Sequence, residues 1–264
     1  MLKKYFGFYG RLFKLNISLK LVYNVNFWVG FFSDLAGFLI LLATFSVIYS
    51  NVDTINGWNK YQMIFFLGSF IIVDSLIMSL VFIGVASLPG RIRSGDLDYI
   101  LLKPINTRFY ASVIKLNPGF LLNSFYGIIL LIYSSFKLNI QISSIKILGY
   151  IFLLFLSFII YYATIFSLRC LAFWFVRIDG IAKLEEELIY FAYRTPGVSY
   201  KGVIRILLFT ILPFGVIATI PTQFFTEIMS FQHVLFSVSL CMAYMLFSSI
   251  LWKKGLKKYS SASS

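Results

Sequence analysis

Few side chains in this sequence have the chemistry of catalytic or metal-binding residues. There is one histidine, His233, and there are two cysteines, Cys170 and Cys241, both inside apolar runs. No serine or glutamate lies in a G-x-S-x-G or H-E-x-x-H motif, and two such cysteines indicate neither a disulfide framework nor a metal site. The sequence therefore predicts a non-catalytic chain that binds no metal.

A nucleotide-binding loop is also missing from these 264 residues. Gly90 and Gly95 have the spacing of the glycines in G-x-x-x-x-G-K-[ST], but Asp96 stands where the phosphate-binding lysine is required. We therefore expect this chain to bind no ATP and no other cofactor itself.

Three ionisable residues, Asp34, Asp74 and Arg169, lie inside long apolar runs. A charge that faces lipid is costly, so each side chain should face the protein interior, a cavity or the membrane interface. One interpretation is that the three residues line a path for a substrate. The other is structural, with Asp34 near the headgroups and the Arg169 side chain extending to the interface.

The composition indicates a membrane protein. Hydrophobic residues make up 59% of the chain and charged residues 12%, and the mean hydropathy is +0.87. A chain of 264 residues has room for about six spans of roughly 20 residues each. We predict an all-α integral membrane protein in which residues 1–252 form one domain and residues 253–264 form a basic, serine-rich cytoplasmic tail.

Six transmembrane helices can be placed on the apolar runs. We predict that residues 1–24 form an amphipathic helix on the membrane surface, because basic and aromatic side chains fall on opposite sides. A link at residues 222–233 should enter the interface as a short re-entrant element. The six spans are predicted at residues 25–49, 63–86, 118–136, 147–175, 203–224 and 234–252.

The distribution of basic residues predicts the orientation. Nineteen of the 23 lysines and arginines fall in the termini and in the second and fourth loops, residues 87–117 and 177–205. Cytoplasmic segments of membrane proteins are enriched in lysine and arginine, so both termini should be cytoplasmic. The net charge of +13 therefore reflects topology, and we do not expect nucleic acid as a partner.

The densest block of charge follows the second predicted span. It contains Arg91, Arg93, Asp96, Asp98, Lys103 and Arg108. Ser94, Gly95 and Asp96 are typical of a turn, and Leu97, Ile100 and Leu101 follow at helical spacing. We predict a short surface helix that binds a partner. A second surface helix is expected around residues 181–191, and the role of Glu185, Glu186 and Glu187 in it stays open.

The charged block, RIRSGDLDYILLKPINTRFY, resembles the cytoplasmic segment of ATP-binding-cassette (ABC) permeases of the ABC type-2 exporter class. The likeness is to the bacterial branch with the pattern I-R-x-G-x-L-D-x-x-L-x-x-P. A second stretch, YRTPGVSYKGVIRILLFTILPFGVIATIPTQFF at residues 193–225, is similar to the fifth span of that branch.

The resemblance implies a permease subunit in a bacterial plasma membrane. Two permease chains would pair as a homodimer or heterodimer, each on a cytoplasmic ATPase subunit that holds ATP and magnesium. Residues 87–104 would form the coupling segment, and an amphiphilic peptide, drug or lipid would be exported. An ion- or proton-coupled carrier, or a membrane-embedded enzyme, remains an alternative. The residues implied to contact the ATPase are Arg91, Arg93, Asp96, Leu97, Asp98 and Leu101.

Overall fold

The protein is almost entirely helical. The structure, a computed structural model, describes residues 7, 9–16, 24–227 and 230–259, with the backbone alone at residues 24–27. Of the predicted N-terminal amphipathic helix, residues 9–16 are helical (α1), and the rest lies outside the described residues apart from Gly7. The serine-rich residues 260–264 also lie outside them.

The remaining elements follow in chain order. One two-residue hairpin, β1 (Thr54–Ile55) and β2 (Trp58–Asn59), precedes the third helix. Two helices contain or end in a π-helical turn, at Met78–Phe82 and Leu207–Ile211, and 3-10 turns lie at Pro118–Leu122, Leu171–Phe173, Gly197–Ser199 and Pro213–Gly215. The α-helices are α2 (Asn24–Ile48), α3 (Lys60–Ile77), α4 (Ile83–Ala86), α5 (Leu88–Ser94), α6 (Leu97–Leu101), α7 (Thr107–Val113), α8 (Asn123–Lys137), α9 (Ser144–Cys170), α10 (Asp179–Arg194), α11 (Gly202–Ile206), α12 (Val216–Thr226) and α13 (Phe231–Lys258).

Five of the described helical segments are long and apolar enough to cross a membrane. They overlap the first, second, third, fourth and sixth predicted spans. Their bounds are Trp28–Ile48, Lys60–Ser94, Pro118–Lys137, Ser144–Phe173 and Phe231–Lys258. The sixth candidate is the pair Gly202–Ile211 and Pro213–Thr226, which is bent by 82°.

The hairpin starts the central span. Asn56 and Gly57 both have positive φ angles, of 49° and 86°, as a tight two-residue hairpin requires. The Asn59 side chain then accepts hydrogen bonds from the Tyr61 and Gln62 amides, while Gln62 Oε1 accepts one from the Asn59 amide. This capping box ends the hairpin and begins α3.

Helix α3 lies at the centre of the bundle and contacts α2, α8, α9, α10 and α12. Its closest approach to α8 is at Gly68 and Gly127, where a methyl group on Gly68 would lie 2.8 Å from the Gly127 carbonyl oxygen. Small residues at such crossings let helix backbones pack in direct contact. The first two-thirds of α3 are consequently buried on nearly all sides.

The predicted fifth span, residues 203–224, does not form a straight crossing. Just before it, Ser199 Oγ accepts a hydrogen bond from Asn56 Nδ2 at 3.0 Å. Just after it, Glu227 Oε1 accepts one from Trp58 Nε1 at 2.7 Å. Both ends of the segment therefore contact the same hairpin, so the segment enters the bundle and returns.

The turning point of this segment lies at the surface of the bundle, where Ile211 is 60% exposed. The Tyr244 hydroxyl, near the middle of α13, contacts the carbonyl oxygens of Thr210 and Ile211. Leu212 and Pro213 then bend the chain by 82°, because proline cannot continue the helix hydrogen bonds. The bend follows from the proline that the sequence places there.

Helix α10 packs against α9 and α3. Before its midpoint, Glu185 pairs with Arg169 in the last turn of α9. Near its end, Tyr193 packs on Phe70 of α3, with ring centroids 5.0 Å apart. The chain then reaches the hairpin at Ser199. The surface helix that the sequence predicted at residues 181–191 is thus present, but it lies along the bundle.

Candidate functional site

Asp34 and Asp74 lie in the wall of one cavity, which is formed by α2, α3, α8 and α10 and has a volume of about 550 Å³. Asp34 Oδ2 accepts a hydrogen bond from Asn123 Nδ2 at 2.8 Å. Asp74 Oδ1 accepts one from the Tyr161 hydroxyl at 3.1 Å. The two carboxylates, 40 positions apart in the sequence, therefore share one space.

Helix α10 adds further charges to this cavity, from Glu186 and Arg194. The Arg194 guanidinium lies 3.7 Å from the centroid of the Tyr190 ring, one turn earlier on the same helix. Neither Glu186 nor Arg194 is among the residues that the sequence predicts for a path. Their only signal was a polar helix with one apolar face, which is also typical of a surface helix.

Arg169 does not line this cavity. Its Nη2 lies 3.1 Å from Glu185 Oε1, and both side chains are buried, at 4% and 1% exposure. The sequence left open whether Arg169 lines a path or has a structural role, and these contacts support the structural role. The guanidinium pairs with a buried carboxylate and does not extend to the membrane interface. The pair also assigns a place to Glu185, whose role the sequence left open.

The charged block forms α5, α6 and α7, with Gly95 as a turn residue at φ 81°. Leu97 and Ile100 are buried, at 0% and 2% exposure, and they attach α6 to the bundle. Leu97, implied by the resemblance as an ATPase contact, therefore lies in the core. Its role at any contact surface would be to position α6.

The exposed side of the block is partly apolar. Tyr99 is 70% exposed and Leu102 is 81% exposed, beside Leu101 at 37%. Arg93 and Asp96 are also exposed, whereas Arg91 is half-buried. We call Arg93, Asp96, Tyr99, Leu101, Leu102 and Lys103 the coupling surface. Tyr99 and Leu102 were not predicted from the sequence. They lie on the exposed side of this short helix and its last turn, opposite the buried Leu97 and Ile100.

Asp98 is not part of this exposed group, because it contacts the C-terminal end of α13. Burial, together with the hydrogen bond and the charge of Asp98, raises the pKa of Tyr259. The Tyr259 hydroxyl also lies 3.4 Å from the Gly95 carbonyl oxygen. The turn before α6 is thereby tied to the C-terminal end of α13.

Arg108 ties the block to two further spans. Its guanidinium donates hydrogen bonds to Ser248 and Ser249 of α13, both at 2.7 Å. It also lies 4.7 Å from the centroid of the Phe166 ring in α9. Arg108 therefore connects α7 to α9 and α13.

The fold defines a multi-pass helical membrane protein that has a cavity between its helices and, apart from it, an exposed charged block. Residues 35–263 match the family described as "ABC-2 family transporter protein". The chain belongs to this family and is a permease component of an ABC transporter, a type of subunit that is generally non-catalytic and works with an ATPase subunit. No curated protein and no solved structure matches the chain.

Proposed function

We propose that this chain is the membrane-spanning subunit of a bacterial ATP-driven exporter for an amphiphilic substrate. A cytoplasmic ATPase subunit holds ATP and magnesium and docks on the coupling surface. A second permease chain, identical or related, completes the path across the plasma membrane. No observation favours the alternatives of an ion-coupled carrier or an embedded enzyme.

The coupling surface is the observation that carries this proposal. It combines an exposed aromatic ring, exposed leucines and flanking charges, the mixture typical of a protein contact. Three candidate spans hold it from behind, since α5 continues the span that contains α3, Arg108 bonds α13, and the Ser112 hydroxyl lies 2.9 Å from that of Tyr162 in α9. Force applied by an ATPase subunit would therefore reach the membrane helices.

The topology that we propose has both termini in the cytoplasm, with α10 and residues 195–200 as the fifth crossing. The segment from Gly202 to Thr226 is then the re-entrant element, inserted from the outer side. Charge counting supports this arrangement as well. Sixteen of the 23 lysines and arginines fall on the cytoplasmic side and five outside, while Arg169 and Arg194 lie between them.

A second permease chain follows from the same topology. The exposed residues of α10 include Glu186, Glu187 and Arg194. Charges on a crossing helix are costly against lipid, so this face needs water or protein beside it. A dimer with α10 near its centre provides both.

The coupling surface predicts a docking defect. We expect the double variant Tyr99→Ala/Leu102→Ser to bind its ATPase subunit at least about 100-fold more weakly, because each side chain is an exposed anchor of the surface. The measurement is the affinity of the purified chain for the ATPase subunit that co-purifies with it. Phe175→Ala, which removes a 55% exposed ring outside the surface, is the control. Equal affinities of the two variants would contradict the assignment.

The topology predicts a labelling pattern in a Cys170→Ala/Cys241→Ala background. Asn56→Cys and Ser199→Cys should react with a membrane-impermeant thiol reagent applied to intact cells. Arg177→Cys should react only after the membrane is permeabilised. If Ser199→Cys reacts together with Arg177→Cys and not with Asn56→Cys, α10 is not a crossing helix.

A further inference from the structure

The cavity shared by Asp34 and Asp74 carries more negative than positive charge. Three carboxylates, of Asp34, Asp74 and Glu186, face the single guanidinium of Arg194. None of the three carboxylates forms an ion pair with a cation in the part of the chain that the structure describes. The hydrogen bonds from Asn123 and Tyr161 are neutral and leave the charges uncompensated.

These carboxylates lie at membrane depth. Asp74 is 14 residues beyond Lys60, the first residue of its span, which is about 21 Å along the helix axis. Asp34 is 14 residues before the end of α2, at a similar distance from the hairpin end. A hydrocarbon layer is about 30 Å thick, so both acids lie inside it, in the half nearer the cytoplasm. Uncompensated charge at that depth favours a cation in the cavity.

Aromatic rings from the surrounding helices complete the site. Phe38 and Tyr126 stack at 6.0 Å, and Phe70 packs on Tyr193 at 5.0 Å. All four rings line the cavity. Aromatic faces attract organic cations, most strongly where water is excluded. They also provide apolar contacts for the rest of a ligand.

From the cavity, its uncompensated carboxylates and its aromatic walls, we infer that this site binds an amphiphile that carries a positive charge. This inference rests on the proposed export function and names the substrate class. Asp74 holds the cationic group from the side of α3, and Glu186 holds it from the side of α10. The aromatic rings hold the apolar part.

Binding of tetraphenylphosphonium to the purified full-length chain, in uncharged maltoside micelles, tests the inference by equilibrium dialysis. Tetraphenylborate, which has nearly the same shape and the opposite charge, is the matched ligand. We expect saturable binding of the cation only, weakened at least about tenfold by Asp74→Asn and further by Asp74→Asn/Glu186→Gln. Glu187→Gln, which neutralises the neighbouring carboxylate outside the cavity, should bind as the unmodified chain does.

Two results would overturn the inference: saturable binding of tetraphenylborate at the same site, or equal affinity of Asp74→Asn/Glu186→Gln and Glu187→Gln for the cation. The assay contains no ATPase subunit, so it is independent of the docking experiment above. If the chain binds the cation but no ATPase subunit docks in the docking experiment, the cation site stands and the proposed exporter function is refuted. If an ATPase subunit docks but the chain does not bind the cation, the exporter function stands and the cation site is refuted.

Discussion

Replacement of Gly84 by alanine is expected to destabilise the protein by about 3 kcal/mol and to displace α7 from the central span. Gly84 lies in α4, where a methyl group would overlap the Ser112 carbonyl oxygen of α7 and crowd the Ala111 carbonyl oxygen. These atoms belong to the backbone and cannot turn aside as a side chain can. Helix α7 must therefore move away from α4, together with the coupling surface that it supports.

Gly90→Ala is the matched control for this variant. Gly90 is an exposed residue of α5, and a methyl group there would meet nothing within 4 Å. Alanine in a helix is favoured over glycine by up to about 1 kcal/mol, so this variant should be slightly more stable than the unmodified chain. Thermal unfolding of the detergent-solubilised variants compares the two. A Gly84→Ala protein as stable as Gly90→Ala would contradict the close contact of α4 and α7.

Loss of one partner from the buried ion pair is the second large effect that we expect. Arg169→Met should cost about 3–5 kcal/mol, because it leaves the Glu185 carboxylate buried without its cation. Glu185 Oε2 already lacks a hydrogen-bond partner among the described residues, so little is available to replace the guanidinium. The loss of the ion pair should also weaken the packing of the N-terminal half of α10 against α9.

A double-mutant cycle separates the charge from the packing. Arg169→Met/Glu185→Met removes both buried charges and fills similar volumes, so its stability should return to within about 1 kcal/mol of the unmodified chain. Glu187→Gln, on the exposed side of α10, should change the stability by less than about 0.5 kcal/mol. A double variant as unstable as Arg169→Met alone would mean that the ion pair is not the cause.

Charge and periodicity predict the coupling segment well, because both act locally. Six charges within 18 residues cannot enter lipid, which places the block at a membrane surface. The stripe of Leu97 and Ile100 is buried as its spacing predicts, while Leu101 lies at its edge. The packing of the short helix decides which exposed residues lie beside the stripe. A local sequence pattern does not reveal this packing.

Hydropathy alone does not decide the path of residues 202–226, for a physical reason. An apolar pair such as residues 202–226 satisfies the same hydropathy test whether it crosses the bundle or returns to its starting side. Helix α10 is polar on one side, yet contacts such as Arg169 to Glu185 and Phe70 to Tyr193 hold it against the bundle. The shared cavity of Asp34 and Asp74 likewise depends on packing between helices, which neither residue's sequence neighbours reveal.

The π-helical turn at Met78–Phe82 lies between Asp74 and the coupling surface within one continuous span, and Met78 and Phe82 themselves line the cavity. A π turn holds one residue more than an α-helix uses for the same turn. The Asn117 amide donates to the Ser79 carbonyl oxygen at 2.9 Å inside this turn. Conversion of the turn to a regular α-helix would rotate Arg91 by about 100° relative to Asp74. The span thus contains a place where the part that carries Asp74 can rotate relative to the part that carries Arg91 without a break in the helix.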